Sequence, residues 1–322
     1  MLLKEVVIIH AGRPTGGFGR RLALLLQALR KRVSVRVLSN GSDARQLLSV
    51  GRGRRGGVCV LFFTSLLMPF IALLKWARPG LPVYYLVRGD EITFATHDKR
   101  YVRALLAYLF QVGIARLDCT IVFVSTDLQR LFRERYGDQI MLKSRVLPNT
   151  IGRSLPPTRA FDGRIGLVGD FHTVKNIEWV IEHLEGGRFT VHLYGNTTLP
   201  ERWERSWLHA HGVVADLTHS LWESCSLVIF ADTSAGFPNV LIEALLAGCS
   251  VVVHQEFPFR YLPVDDAWRF DLAAPPLRAK DSQLERVLLR LLEEDRDFRQ
   301  DNPHLVRLIE SDWEERLWEI LR

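Results

Sequence analysis

The sequence predicts an α/β protein of two successive Rossmann-like units. Three observations predict it. Short apolar runs alternate with amphipathic helical patterns through all 322 residues. The runs are apolar nearly throughout rather than every second residue, as in parallel strands covered on both faces. The alternation stops once, at Pro148–Gly163 (PNTIGRSLPPTRAFDG), where three prolines and no apolar periodicity mark a linker, and then restarts.

In the first half the strand candidates are Val6–Ala11, Val33–Leu38, Val58–Phe63, Pro82–Val87, Cys119–Val124 and Arg145–Leu147, with helical stretches at Arg20–Arg30 and Tyr101–Ala115. Ser125 is placed to cap a helix starting at Thr126. In the second half the candidates are Arg164–Val168, Thr190–Tyr194, Val213–Ala215, Ser226–Phe230 and Ser250–Val253. A charged helical pattern follows, with Leu288, Leu291, Leu305 and Leu308 among its apolar positions. The expected boundaries are 1–150 for an N-terminal domain, 151–163 for the linker, and 164–322 for a C-terminal domain with terminal helices.

The uncharged stretch Gly56–Leu74 approaches the length of a membrane span, but Thr64, Ser65 and Pro69 split it into a buried strand and a buried helix. The N-terminus, MLLKEVVIIH, lacks a signal peptide's apolar core and cleavage site. Four scattered cysteines form no CxxC pair and read as reduced core residues of a cytoplasmic protein. His192, His209, His211, His219 and His254 show no metal-ligand spacing, no acidic pair stands in a convincing metal-binding loop, and no metal is expected. No GxSxG nucleophile turn is present.

The net charge of +6 conceals an asymmetry: residues 1–150 carry 24 basic and 9 acidic side chains, the remainder 18 and 27. A basic first half suits an anionic partner, either a membrane surface or a polyanionic acceptor; solubility charge with no partner is the other reading. The single GRGRRGG tract at 51–57 reads as a basic loop, and no nucleic-acid partner is expected.

Asp232–Val253 (DTSAGFPNVLIEALLAGCSVVV) carries the most chemistry. A strand ends before it, Gly236 allows a tight turn, Pro238 suits a first helical turn, and Gly248 can cap the helix end. A helix N-terminus at the carboxyl end of a parallel strand is a ready phosphate site, and Glu243 could reach two ribose hydroxyls. On residue chemistry alone, an ordinary capped helix with a surface Glu fits equally well.

GFPNVLIEALLAG is similar to the donor-site motif of the retaining glycosyltransferases of family 4, which have the GT-B fold of two facing Rossmann-like domains. That resemblance implies a UDP- or GDP-sugar donor, with Glu243 holding ribose and the backbone of Gly236, Phe237, Pro238 and Asn239 facing the donor sugar and diphosphate. RIGLVGDFHTVKNIEWVIEHL (164–184) resembles the opening of the family's C-terminal domain, which implies Gly169 at the turn and Lys175 against the diphosphate as the leaving group departs. Gly16 and Gly17 match the family's glycine loop beside donor and acceptor. VSTDLQRLF and VLPNTI resemble its N-terminal strand–helix turn and its interdomain turn. In YYLVRGDE, Arg88 stands where the family has a His near the reacting sugar, with Asp90 and Glu91 beside it. Arg88 would orient an anionic acceptor or pair with a carboxylate.

Two positions depart from the family. Ala235 replaces its first acidic residue, and Asp170 replaces the Arg after Gly169, leaving His172 or Arg260 as substitute cations. The implied activity is sugar transfer to a lipid-linked or glycan acceptor in bacterial surface polysaccharide, lipopolysaccharide or glycolipid synthesis. The implied location is the cytoplasm, at the inner face of the membrane if Arg13, Arg20, Arg21, Arg30, Lys31, Arg32 and the Arg52–Arg55 loop dock there. A non-catalytic partner subunit and a sugar-nucleotide epimerase on the same fold are the alternatives.

Overall fold

The computed structural model describes residues 3–10, 16–39, 57–97, 99–148, 155–169, 175–184, 186, 188–195, 201–232, 239–255, 264–272, 283–309 and 312–322. Asp170, His172, Ala235–Pro238, Arg260, Arg13 and the Arg52–Arg55 loop lie outside them. The chain forms two compact units, Met1–Ile151 with Asp312–Arg322, and Gly152–Ser311.

The first unit runs β1 (Glu5–Ile9), α1 (Gly16–Arg30), β2 (Ser34–Leu38), β3 (Val58–Phe62), α2 (Met68–Ala77), β4 (Val83–Val87), α3 (Glu91–His97), α4 (Tyr101–Arg116), β5 (Thr120–Phe123), α5 (Thr126–Tyr136), α6 (Gln139–Leu142) and β6 (Ser144–Val146). Its six strands are all parallel, in the order β2-β1-β3-β4-β5-β6. The apolar runs form the central strands: β4 is buried throughout, and β1 and β3 at four of five positions. Ser125 caps α5 by accepting from the Leu128 amide at 3.2 Å. Gly56–Leu74 resolves into β3, a 3-10 turn at Ser65–Leu67 and most of α2. Among the described residues no helix is long and apolar enough to cross a membrane. The buried helix expected there is buried on one side only: Ile71 and Leu74 face the core, while Leu73 and Trp76 are exposed.

The second unit runs β7 (Arg164–Val168), α7 (Ile177–His183), β8 (Thr190–Tyr194), β9 (Leu208–Gly212), α8 (Leu217–Ser224), β10 (Leu227–Phe230), α9 (Asn239–Leu246), β11 (Ser250–His254), β12 (Arg269–Phe270), α10 (Gln283–Glu294), α11 (Phe298–Asp301) and α12 (Pro303–Ile309). Its parallel sheet has the order β12-β11-β10-β7-β8-β9. The expected strand at Val213–Ala215 is not one. The strand lies earlier, at Leu208–Gly212, an edge strand whose outward residues are His209, Ala210 and His211. An edge exposed on one side does not need an apolar run.

Residues 155–162 belong to the second unit. Arg159 donates its amide to Gly248 O at 2.8 Å and its guanidinium to Cys225 O at 2.6 Å, and lies over the Trp222 ring at 4.7 Å. Gly248 ends α9 at φ 70°, and a Cβ there would stand 2.7 Å from Pro157 O, so no side chain fits.

The last helix, α13 (Trp313–Leu321), returns to the first unit, which corrects the expected 164–322 boundary. Trp313, Leu317, Trp318 and Leu321 join the core of β1, β3 and α1, Lys31 Nζ meets Glu314 at 2.6 Å, and Arg32 lies over the Trp318 ring. The four cysteines are free and buried. Burial pushes the Cys59, Cys225 and Cys249 thiols up to about 12, which keeps them unreactive.

Candidate functional site

Both sheets have a point where strand order reverses, and a parallel α/β sheet opens a ligand crevice outside its strand carboxyl ends there. In the second unit the order reads 3-2-1-4-5-6, with the reversal between β7 and β10. The chain leaving β7 and the chain leaving β10 meet at that crevice. Gly169 follows β7 at φ 148°, a conformation side chains rarely adopt, and its amide donates to Tyr194 O at 2.8 Å. A Cβ on Gly169 would touch the Lys175 side chain at 3.4 Å. Asn176, left-handed at φ 48°, starts α7 and donates Nδ2–H to Ala231 O at 2.7 Å, tying the β7 side of the crevice to the end of β10.

The next residue after Ala231 is Asp232, and its carboxylate accepts from Lys175 Nζ. Asp232 is 5% exposed at its side chain and Lys175 28%. Burial raises the Asp232 carboxyl above its ordinary range, and the Lys175 ammonium opposes the rise. Sequence reasoning missed Asp232. Its signal was a single acid just after the buried run of β10 and Ala231.

Of the remaining donor-site positions, Asn239 opens α9 and Glu243 lies half-buried one turn on. The rest of the expected turn, Gly236, Phe237 and Pro238, is outside the described residues. Since β10 hydrogen-bonds to β7, the helices α7 and α9 that follow them start at the same sheet edge.

In the first unit the reversal falls between β1 and β3, and Gly16 and Gly17 open α1 just beyond β1. Arg88 follows β4, and burial lowers its basicity, opposed by the nearby Glu91. Arg21, from the first turns of α1, is 3% exposed. It therefore cannot dock on a membrane as its charge suggested. Its Nη2 lies 3.5 Å from Leu147 O, and its Nε and Nη1 are buried without a partner among the described residues. Burial, then the neighbouring Arg88 charge, pushes Arg21 down to about 9. The buried Arg21 and the half-buried Arg88 thus stand together. The sequence signal was Arg21's position on the apolar stripe of α1, one turn before Leu25 and two before Ala28 and Leu29.

Asp90 does not join them. Both its oxygens accept from Arg135, each at 2.6 Å, it accepts from Thr93 Oγ1, and it accepts from the Ile92 amide at 3.2 Å at the start of α3. Burial raises its carboxyl, but the Arg135 and Thr93 hydrogen bonds outweigh that and hold it below the usual carboxylate range. This is the environment of a permanently ionised structural residue, not of a proton donor. Glu91 likewise accepts from the Ser65 amide and hydroxyl.

Three histidines separated in sequence come together on β8 and β9. His192 Nδ1 is 2.9 Å from His211 Nε2, the His209 ring is 5.2 Å away, and burial and these neighbours push His192 down to about 4. Among the described residues no group of three or more His, Cys, Asp or Glu could hold a metal ion.

Residues 162–261, which span Gly169, Lys175, Asp232 and Glu243, match the family described as glycosyl transferases group 1. That segment is about a third of the chain. The fold of the chain is GT-B. The structure resembles OtsA in its apo form, with TM-score 0.65, 11% identity and 99% of each chain covered. It resembles the UDP-forming α,α-trehalose-phosphate synthase of Burkholderia xenovorans solved with glucose-6-phosphate, with TM-score 0.63, 10% identity, and 99% of this chain and 100% of that one covered. It also resembles the pneumococcal O-GlcNAc transferase GtfA solved with UDP and GlcNAc, with TM-score 0.62 and 13% identity. That match covers 86% of this chain and 59% of GtfA, so the chain spans under two thirds of that relative. No curated protein sequence matches.

Proposed function

We propose that the chain transfers a glycosyl group from a UDP- or GDP-sugar to an acceptor oxygen, with retention of configuration as in family 4. The bond between the anomeric carbon and the β-phosphate oxygen breaks, a bond to the acceptor oxygen forms, and the acceptor's proton leaves with the nucleoside diphosphate. The observation that carries this reading is the placement of Lys175 and Asp232 at the β7–β10 reversal, inside the segment that matches glycosyl transferases group 1. Lys175 balances the charge that grows on the departing diphosphate. Gly169 lets the backbone approach it, Glu243 accepts from the ribose hydroxyls, and the Gly236–Asn239 turn faces the donor sugar. Asp232 is a positioning residue that holds the Lys175 ammonium at the crevice.

The acceptor belongs to the first unit. Arg88 offers charge to an anionic group on it, reinforced by the buried Arg21 beside it, and Gly16 and Gly17 open α1 at the same end of that unit's sheet. A lipid-linked or glycan acceptor of bacterial surface glycan or glycolipid synthesis, met at the inner face of the membrane, fits a basic first half. A second reading, a non-catalytic partner subunit, is favoured by one observation: Asp232 already neutralises Lys175, while Ala235 and Asp170 replace two of the family's charged residues.

Turnover with a panel of UDP-, GDP- and dTDP-sugars separates the readings. Sugar transfer or donor hydrolysis supports the proposal. Binding without turnover supports the subunit, and isomerised donor an epimerase.

A further inference from the structure

Helix α4 is built inside out. Its inner face is mostly small, with Ala104, Ala107 and Ala115 buried beside Gln111 and Ile114, and Gly113 lies so close to α2 that a Cβ would stand 2.1 Å from Met68 Cε. Most of its large apolar residues point the other way: Tyr101, Val102, Leu105 and Leu109 are exposed, Val102 at 75%. The adjoining α2 adds Leu73 and Trp76, the latter 80% exposed. Eight of the fifteen exposed large apolar residues among those described fall on α2 and α4. Scattered surface leucines are ordinary, but such a concentration on two packed helices marks a surface meant to be covered.

The charges decide what covers it. From Lys99 to Arg116 there are four cations, Lys99, Arg100, Arg103 and Arg116, all exposed, and no Asp or Glu. A second copy docking isologously would set these cations against their own equivalents with no acid on the helix to answer them. An anionic bilayer answers all of them, while aromatic residues such as Tyr101 and Trp76 suit the headgroup level. At 16 residues, α4 is too short to span.

We propose that the outward faces of α4 and α2 form a membrane-docking surface that lies in the interfacial region of an anionic bilayer. It rests on the peripheral location offered above but not on sugar transfer, because docking needs neither donor nor acceptor. It also moves the contact away from α1, whose Arg21 is buried.

The test is co-sedimentation of the full chain with phosphatidylcholine vesicles, with and without phosphatidylglycerol, no nucleotide sugar being present. Wild type should pellet with the anionic vesicles, and the Trp76 emission should shift to the blue, a change absent from Trp76→Phe. Val102→Asp with Leu105→Glu should lower binding about ten-fold or more while leaving the circular dichroism and melting temperature unchanged, since both side chains are exposed. Trp76→Ser on the other helix should weaken binding independently. No binding to anionic vesicles at low salt, or equal binding by wild type and both variants, overturns the proposal. So does a dimer that these substitutions dissociate in the absence of vesicle binding, which would assign the face to a second copy. Sugar transfer without vesicle binding would leave the proposed function standing and remove only this surface.

Discussion

Asp232, two residues beyond β10, holds the ammonium of Lys175, which leads into α7. The pair joins the two strands at which the second sheet reverses its order. It changes what a Lys175 substitution means. A first-turn lysine is ordinarily solvated and dispensable to the fold, but removing this one strands a buried carboxylate. Lys175→Ala should therefore destabilise the protein by about 1–3 kcal/mol, less than the roughly 3–5 kcal/mol of a fully buried pair because Lys175 is partly exposed. Lys175→Met with Asp232→Asn should recover most of that loss. Urea unfolding of the three variants checks it, and additive losses would show that the two side chains are not coupled.

The same carboxylate gives a pH dependence. Its pKa is raised in the folded state, so the folded protein binds a proton more readily than the unfolded chain. Stability should fall as pH rises from the ordinary Asp value of about 3.9 through the raised folded value, and level off above it. Asp232→Asn should remove this part of the slope. Denaturant midpoints across the acid range measure it, and an unchanged slope in the variant would place the proton elsewhere.

Asp90 should behave as a structural residue. Arg135→Met leaves its buried carboxylate unpaired and should cost about 3 kcal/mol. Arg135→Met with Asp90→Asn should restore much of the stability, with turnover per folded molecule close to wild type. Turnover that collapses in the restored double variant would return Asp90 to the chemistry.

Arg21 should trade stability for function. A buried guanidinium with two unpartnered nitrogens is a cost in the free protein, so Arg21→Met should stabilise the fold by about 1–2 kcal/mol. The same variant should lose affinity for an anionic acceptor. Thermal melts and acceptor KM report the two effects separately, and a destabilised Arg21→Met would mean that its charge is already satisfied.

The architecture was legible because parallel strands buried on both faces leave an unmistakable trace. VVII, VCVLF, VYYLV and SVVV all became strands, Ser125 capped its helix, and Gly248 closed α9. What failed to show was set by neighbours rather than by local pattern. The edge strand LHAHG needs few apolar residues, and β12 is two residues long. Nothing in WEERLWEIL says which unit its apolar stripe will cover; α13 joined the first because the α1–β1 face there accepts Trp313 and Trp318. In the candidate site the motif pointed to Lys175 and Glu243, but the partner of Lys175 lies 57 residues away and emerges only once β10 is laid beside β7. Arg21 shows the same limit, since a charge on an apolar stripe predicts burial but not what it will face.

The central claim is that the second unit binds a nucleoside diphosphate at the β7–β10 crevice, and calorimetric titration of UDP and GDP into wild type and Glu243→Gln tests it most directly. Each charge-assisted hydrogen bond to ribose is worth about 1.5–3 kcal/mol, so the variant should bind at least about ten-fold more weakly while melting near the wild-type temperature. Equal affinity in both proteins, or no binding of either nucleotide to wild type, would contradict the account.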